Sequence, residues 1–186
     1  MTQQESSSGV LSEPKPCGEC SLCCKVFDVA ELNKPKGVWC RHFVKGTGCG
    51  VHATRPHVCS SYQCVWTLAA PLDERWRPDR AGFVINPLPQ ATEMELVVDP
   101  GRPDDWRREP YYSQIKRWAD RDAGPLSRVL VRNQGRVIVV FPEAEIDLGP
   151  PTGLPNIDSG YEWRDGRLQP YARYAKADEP ARGGTA

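Results

Sequence analysis

The 186-residue sequence predicts an α+β fold in two unequal parts, an irregular cysteine-rich N-terminal module followed by a small antiparallel sheet with one helix. Three observations lead there. All eight cysteines and all three histidines fall between Cys17 and Cys64. Beyond that window the hydrophobic residues gather in short β-branched runs bounded by turn residues, the pattern of strands and hairpins. The 18 prolines, about twice the usual share, break the chain too often for long helices.

Residues 1–16 read MTQQESSSGVLSEPKP, polar and Ser-rich with a Pro-Lys-Pro end, and are expected to form a disordered tail. They have no basic start, apolar run or small-residue cleavage pattern, so neither a signal peptide nor an anchor is expected. No apolar stretch approaches the roughly 18 residues a membrane span needs. These features predict a cytoplasmic chain with reduced thiols and no membrane partner. The 24 basic and 24 acidic residues cancel, so the broad positive field that nucleic-acid binding uses is missing. Nucleic acid is not an expected partner, whereas a protein partner is left open.

The module spans residues 17–66. Gly37, Gly46, Gly48 and Gly50 punctuate it, and Pro35 and Pro56 exclude a long helix. So small a segment buries too little apolar surface to order itself and needs a staple such as a metal. The α+β region, residues 67–171, then takes over. Strands are expected at 81–85 and 93–98 with a Pro-rich turn at 86–90, and Tyr111, Ile115 and Trp118 recur at helical spacing behind Pro110. The runs 128–131 and 136–141 read as a hairpin, with Gly135 supplying a positive φ. Asp165-Gly166 marks a second hairpin within 161–168. Residues 172–186 are expected to fray. Trp66, Leu68 and Trp76 lie at the junction, where they can bury against both parts, which either share one core or stand apart.

The chemistry is in the cysteines. Cys17-Gly-Glu-Cys20 and Cys20-Ser-Leu-Cys23 are overlapping C-x-x-C units, and two intervening residues let a tight turn bring both sulfurs to one ion. A C-x2-C-x2-C run also wraps iron–sulfur clusters. Adjacent Cys23 and Cys24 do not both reach one small ion easily, because neighbouring side chains diverge, so one of them can serve a second site. Cys40, Cys49, Cys59 and Cys64 form the downstream set. Eight thiols fill two tetrathiolate sites, or one four-cysteine cluster with four thiols left over. Lys25, Lys34, Lys36, Arg41, Lys45 and Arg55 face only Glu19, Asp28 and Glu31 in this window, a balance that favours thiolates. Arg55, beside Pro56 and near Cys49 and Cys59, is the one cation that reads as placed. A disulfide framework is the plain alternative for an even cysteine count, and the missing export signal disfavours it.

The combination Cys17-x2-Cys20-x2-Cys23-Cys24, Trp39-Cys40, Gly48-Cys49-Gly-Val-His52, Arg55-Pro56-x2-Cys59 and Tyr62-x-Cys64-x-Trp66 resembles the bacterial YkgJ-like cysteine-cluster family, described as a zinc- or iron-chelating domain. The resemblance covers residues 17–66 and implies a metal or iron–sulfur site drawn from Cys17, Cys20, Cys23, Cys24, Cys40, Cys49, Cys59 and Cys64. The family has no common activity, although a flagellin lysine methylase resembling it carries the same cluster. His52 stands where the family usually has an aromatic residue, which implies packing rather than ligation. His42, two residues after Cys40, could offer a fourth ligand, but it and His57 read as surface or hydrogen-bonded histidines.

Three functions compete. The first is a metal-binding protein holding zinc or an iron–sulfur cluster, with no catalysis of its own. The second is an iron–sulfur or protein-modifying enzyme whose C-terminal region supplies the substrate surface. Against it, residues 65–186 contain no phosphate loop, no H-E-x-x-H, no G-x-S-x-G and no nucleotide fingerprint, so no catalytic residue can be named. The third is a redox sensor using the vicinal dithiol Cys23-Cys24. Asp104-Asp105 and Arg107-Arg108 read as the charged start of a helix, and Trp106, Tyr111, Tyr112 and Trp118 as core.

Overall fold

The computed structural model describes residues 14–87, 93–120, 128–151 and 156–175. Most of the expected N-terminal tail, the end of the expected C-terminal tail and part of the Pro-rich turn at 86–90 lie outside these residues.

Glycine and proline keep every element of the cysteine-bearing segment short. It contains helix α1 (Cys23–Val26), strands β1 (Phe43–Val44) and β2 (Gly48–Cys49), and helices α2 (His57–Ser61) and α3 (Val65–Leu68). Helix α4 (Pro78–Ala81) leads into the sheet, opened by a proline at its first position and closed by Gly82 at φ +83°. A Cβ on Gly82 would come within 2.9 Å of the Asp105 Cβ, so glycine is needed there for space as well as for conformation.

The β-branched runs build a five-stranded sheet. Its order is β3 (Phe83–Pro87), β4 (Glu93–Val98), β5 (Arg128–Asn133), β6 (Arg136–Val140) and β7 (Glu145–Asp147). The expectation of an antiparallel sheet is corrected at one place: β4 and β5 run parallel, Leu96 facing Val131, whereas the other pairs are antiparallel. The connection between those two strands carries helix α5 (Tyr111–Trp118), and a crossover of that length is what parallel pairing requires. The single expected helix is therefore the longest of several short ones.

Both expected hairpins form. Gln134 and Gly135 turn between β5 and β6 at φ +49° and +77°, and Asp165 and Gly166 join β8 (Ile157–Arg164) to β9 (Arg167–Tyr174) at +50° and +74°. Two consecutive positive φ values suit a two-residue hairpin turn, whose twist matches its strands. Tyr174 pairs with Ile157, and its hydroxyl donates to the Gly149 carbonyl at 2.9 Å. Residues 172–174, expected to fray, are thus held in a strand.

Alternation along the strands gives the sheet two buried faces. On the first, Phe83, Ile85, Leu96, Val98, Val129 and Val131 pack against Trp66, Trp76, Trp106 and Ile115. Trp66 and Trp76 are buried at the junction as expected, but Leu68, two residues on and so turned to the other side of α3, is 46% exposed. The second face is divided. Leu130, Val137 and Val139 lie under the β8–β9 hairpin, whereas Val84 and Val97 pack against Leu22 and Val26 of the cysteine segment. The pairs Arg128–Glu93 and Arg132–Glu95 lie on this same face. The two parts of the chain therefore share a hydrophobic contact.

Candidate metal centre

Residues 17–24 fold as a turn that runs into a helix. The Cys20 amide donates to the Cys17 carbonyl at 3.0 Å and the Cys24 amide to the Ser21 carbonyl at 2.8 Å, with Gly18 taking φ +56°. Leu22 and Val26, 3% and 1% exposed, pin the turn to the sheet. The Cys40 amide donates to the Cys24 carbonyl at 3.0 Å, drawing the next stretch alongside, and Cys49 faces Phe43 across the β1–β2 hairpin. Arg55 donates from Nε to the Cys59 carbonyl at 3.3 Å and from Nη1 to the His52 carbonyl at 2.6 Å, so it ties helix α2, which carries Cys59, to the preceding turn. Cys64 is the residue that opens α3.

The thiols fall into two electrostatic neighbourhoods. Cys20 interacts with Cys64, Cys64 with Cys17, and Cys23 with both Cys20 and Cys17. Cys59 interacts with Cys24, Cys40 and Cys49. One set is thus Cys17, Cys20, Cys23 and Cys64, and the other is Cys24, Cys40, Cys49 and Cys59. They meet at the adjacent pair, where the neighbouring Cys24 pushes Cys23 well above its ordinary value. The same pairing, helped by the Lys34 ammonium, holds Cys24 down at about 7.

Burial works against ionisation in the first set. It pushes Cys20 up to about 11 and raises Cys64, although the backbone N–H groups of Leu22 and Asp79 point at the Cys20 sulfur and those of Trp66 and Thr67 at the Cys64 sulfur. Such donors are the ones that stabilise a thiolate once it forms. Beside the second set lies Lys34, 6% exposed, whose Nζ donates to the carbonyls of Lys25, at 2.8 Å, and Phe27. Burial lowers its pKa while Cys24 and Cys40 oppose the shift. The Tyr62 hydroxyl is buried near Cys64, Cys23 and Cys17 and has no hydrogen-bond partner. Amide donors, a buried cation and an unpaired hydroxyl around eight thiols fit a thiolate-bound cation better than an apolar core.

As they stand, the side chains do not close on an ion: among the described residues no three His, Cys, Asp or Glu side chains form a group able to hold a metal. The eight thiols influence one another electrostatically in two groups but are not preset in ligand geometry. His52 is exposed, contrary to its expected packing, and only its carbonyl is used. The sequence singled out Arg55 but not Lys34 or Asp79, whose roles depend on which carbonyl or sulfur the fold sets beside them. Trp106 is fully buried and Tyr111 packs edge-on to Trp76, so these aromatic residues belong to the core. A cleft of about 270 Å³ opens beside the Cys17–Cys24 turn, lined by Ser21, Leu22, Trp39, Phe43, Asp79 of α4 and Asp99 just after β4.

No family model, curated protein or solved structure matches the chain. Among the described residues, no helix is long and apolar enough to cross a membrane.

Proposed function

We propose that this chain is a metal-binding protein, of the kind its resemblance to the YkgJ-like cysteine-cluster family implies, whose cysteines hold zinc or an iron–sulfur cluster in two sets of four. The observation that carries the reading is the division of the thiols at Cys23 and Cys24. Four thiolates complete a tetrahedral zinc site and equally complete a [2Fe–2S] or [4Fe–4S] cluster. Cys17, Cys20, Cys23 and Cys64 would hold one group, and Cys24, Cys40, Cys49 and Cys59 the other. A bound cation supplies the charge that keeps these sulfurs ionised at neutral pH, and a cluster would add electron transfer. The protein contributes amide donors at Cys20 and Cys64 and the Lys34 ammonium at the second set. Ligand closure then accompanies binding, as is usual where metal and folding are coupled. A reducing compartment, the cytoplasm, suits such a thiol set.

Metal analysis of the full-length chain prepared anaerobically tests this reading. Two zinc ions, or iron with matching sulfide and a visible absorption that bleaches on oxidation, are expected. The pair Cys17→Ser and Cys20→Ser should remove about half of the metal. Protein free of both metals, with eight titratable thiols, refutes the proposal. The lowered Cys24 thiol beside Cys23 favours a second reading, a vicinal-dithiol sensor, for which the metal-free chain would lose two thiols reversibly to a mild disulfide oxidant.

A further inference from the structure

Tyr62 raises a question that the thiols alone do not. Its ring meets Phe27 edge-on at 5.0 Å and packs on the Leu22–Val26–Val84–Val97 cluster, which accounts for the aromatic body of the side chain. It does not account for the hydroxyl, which is buried and unpaired. A buried donor without a partner is destabilising, so phenylalanine would serve the packing better. Cys64 packs on the same cluster as the ring, and the ionisable groups whose charge bears on the hydroxyl are Cys64, Cys23, Cys17 and Glu95. Glu95 is already engaged by Arg132 Nε at 2.5 Å. A neutral thiol accepts weakly, whereas an ionised sulfur accepts a strong charge-assisted hydrogen bond.

We propose that the Tyr62 hydroxyl donates a hydrogen bond to a thiolate of the Cys17, Cys20, Cys23 and Cys64 set when that set binds metal, and is a positioning residue that sets its affinity. The inference rests on the metal-binding reading above. It assigns the unpaired hydroxyl of the metal-free chain to the loaded state, in which deprotonated sulfur supplies the missing acceptor. Arg77 and Lys34 act on Cys20 and Cys23 of this set by charge alone, whereas Tyr62 offers a buried, unpaired hydrogen-bond donor.

The test uses full-length protein, prepared anaerobically, stripped with a chelator and titrated with cobalt(II), whose sulfur-to-metal charge-transfer band reports on the thiolates. Tyr62→Phe keeps the ring and removes only the hydroxyl. One of the two bound cobalt ions should weaken by about 10–100-fold in chelator competition, the usual effect of losing a partner behind a ligand. Its band should move to lower energy, because a sulfur relieved of a hydrogen bond gives up its electrons more easily. The metal-free variant should melt at or above the wild-type temperature, since an unpaired donor has gone. Phe27→Leu disturbs the same ring contact but keeps the hydroxyl, and should lower the melting temperature while leaving the band in place. Wild-type affinity and an unmoved band in Tyr62→Phe overturn the inference, as does an equal band shift in Phe27→Leu. If the wild-type chain takes up no cobalt, the metal-binding reading itself fails, and this inference with it.

Discussion

Leu22→Ala tests how the cysteine segment is held. Leu22 lies inside Cys20-Ser-Leu-Cys23, is 3% exposed, and contributes the largest side chain to a four-residue cluster with Val26, Val84 and Val97. Truncating a buried leucine costs about 2–5 kcal/mol, depending on how far the surroundings collapse. This cluster is small and Leu22 also lines the neighbouring cleft, so partial collapse is available and the lower part of that range, about 2–3 kcal/mol, applies. With a urea dependence of about 2 kcal/mol per molar, the unfolding midpoint should fall by roughly 1 M or slightly more. Combined with Val84→Ala, the loss should fall short of additivity by about 0.5 kcal/mol or more, since the two side chains share one contact. The reactivity of Cys20, Cys23 and Cys64 toward a thiol reagent, read below the midpoint, should rise together. A midpoint unchanged by the substitution, or strict additivity with Val84→Ala, refutes the claim that the segment is anchored on the sheet here.

Lys34→Met strands the carbonyls of Lys25 and Phe27, at a cost of about 1–3 kcal/mol in urea unfolding, and removes the cation beside Cys24. The pH dependence of Cys24 alkylation should therefore move upward from about 7, and an unmoved profile contradicts the assigned role of Lys34. In the metal-free chain Cys20 is pushed up to about 11 from 9.0, so the folded state keeps a proton that the unfolded state releases. Its stabilising contribution is full below pH 9 and is lost as the pH rises through 11, in all about 3 kcal/mol at 1.36 kcal/mol per unit. Cys20→Ser should flatten that alkaline limb in denaturation measured against pH. Gly82→Ala forces a left-handed alanine against Asp105 at a cost of about 1–2 kcal/mol, which should lower the melting temperature by roughly 5 °C. An unchanged Tm there would mean that the turn after α4 relaxes freely.

Legibility from sequence followed the range of the interactions. Strand runs such as Arg128-Val-Leu-Val131 and the Asp165-Gly166 turn are local signals, because β-branched side chains and positive φ act within a few residues. The parallel pairing of β4 with β5 was missed although its cause was in view: a helix between two strands implies a crossover. Both tails are shorter than expected because Lys15 and Tyr174 are held by distant carbonyls, those of Ala69 and Gly149. At the site, cysteine chemistry and spacing mark the candidate ligands, and Arg55, beside Pro56, reaches the Cys59 carbonyl as its position suggests. Which cysteines neighbour which was hidden, since Cys64 reaches the Cys17–Cys23 turn only through the fold. Lys34 was one of six cations in the window and Tyr62 one letter of a motif until burial separated them from the rest.

The division of the thiols has a geometric origin in the same few residues. Leu22 already has helical φ and ψ of −59° and −32°, so the helical path runs from Leu22 through Val26. Successive residues advance by about 100° around a helix, which sets Leu22 and Val26, four apart, on one face. Their burial against Val84 and Val97 fixes that face toward the sheet. Cys23 then projects to one side of the inward face and Lys25 to the other, where its ammonium pairs with Asp99 at 2.5 Å. Cys24 is left pointing away from the sheet, toward the Cys40 stretch that its carbonyl already holds at 3.0 Å. Two apolar residues thus decide which neighbourhood each adjacent cysteine joins. The same contact that substitutes for the core a small segment lacks also separates the two thiol sets.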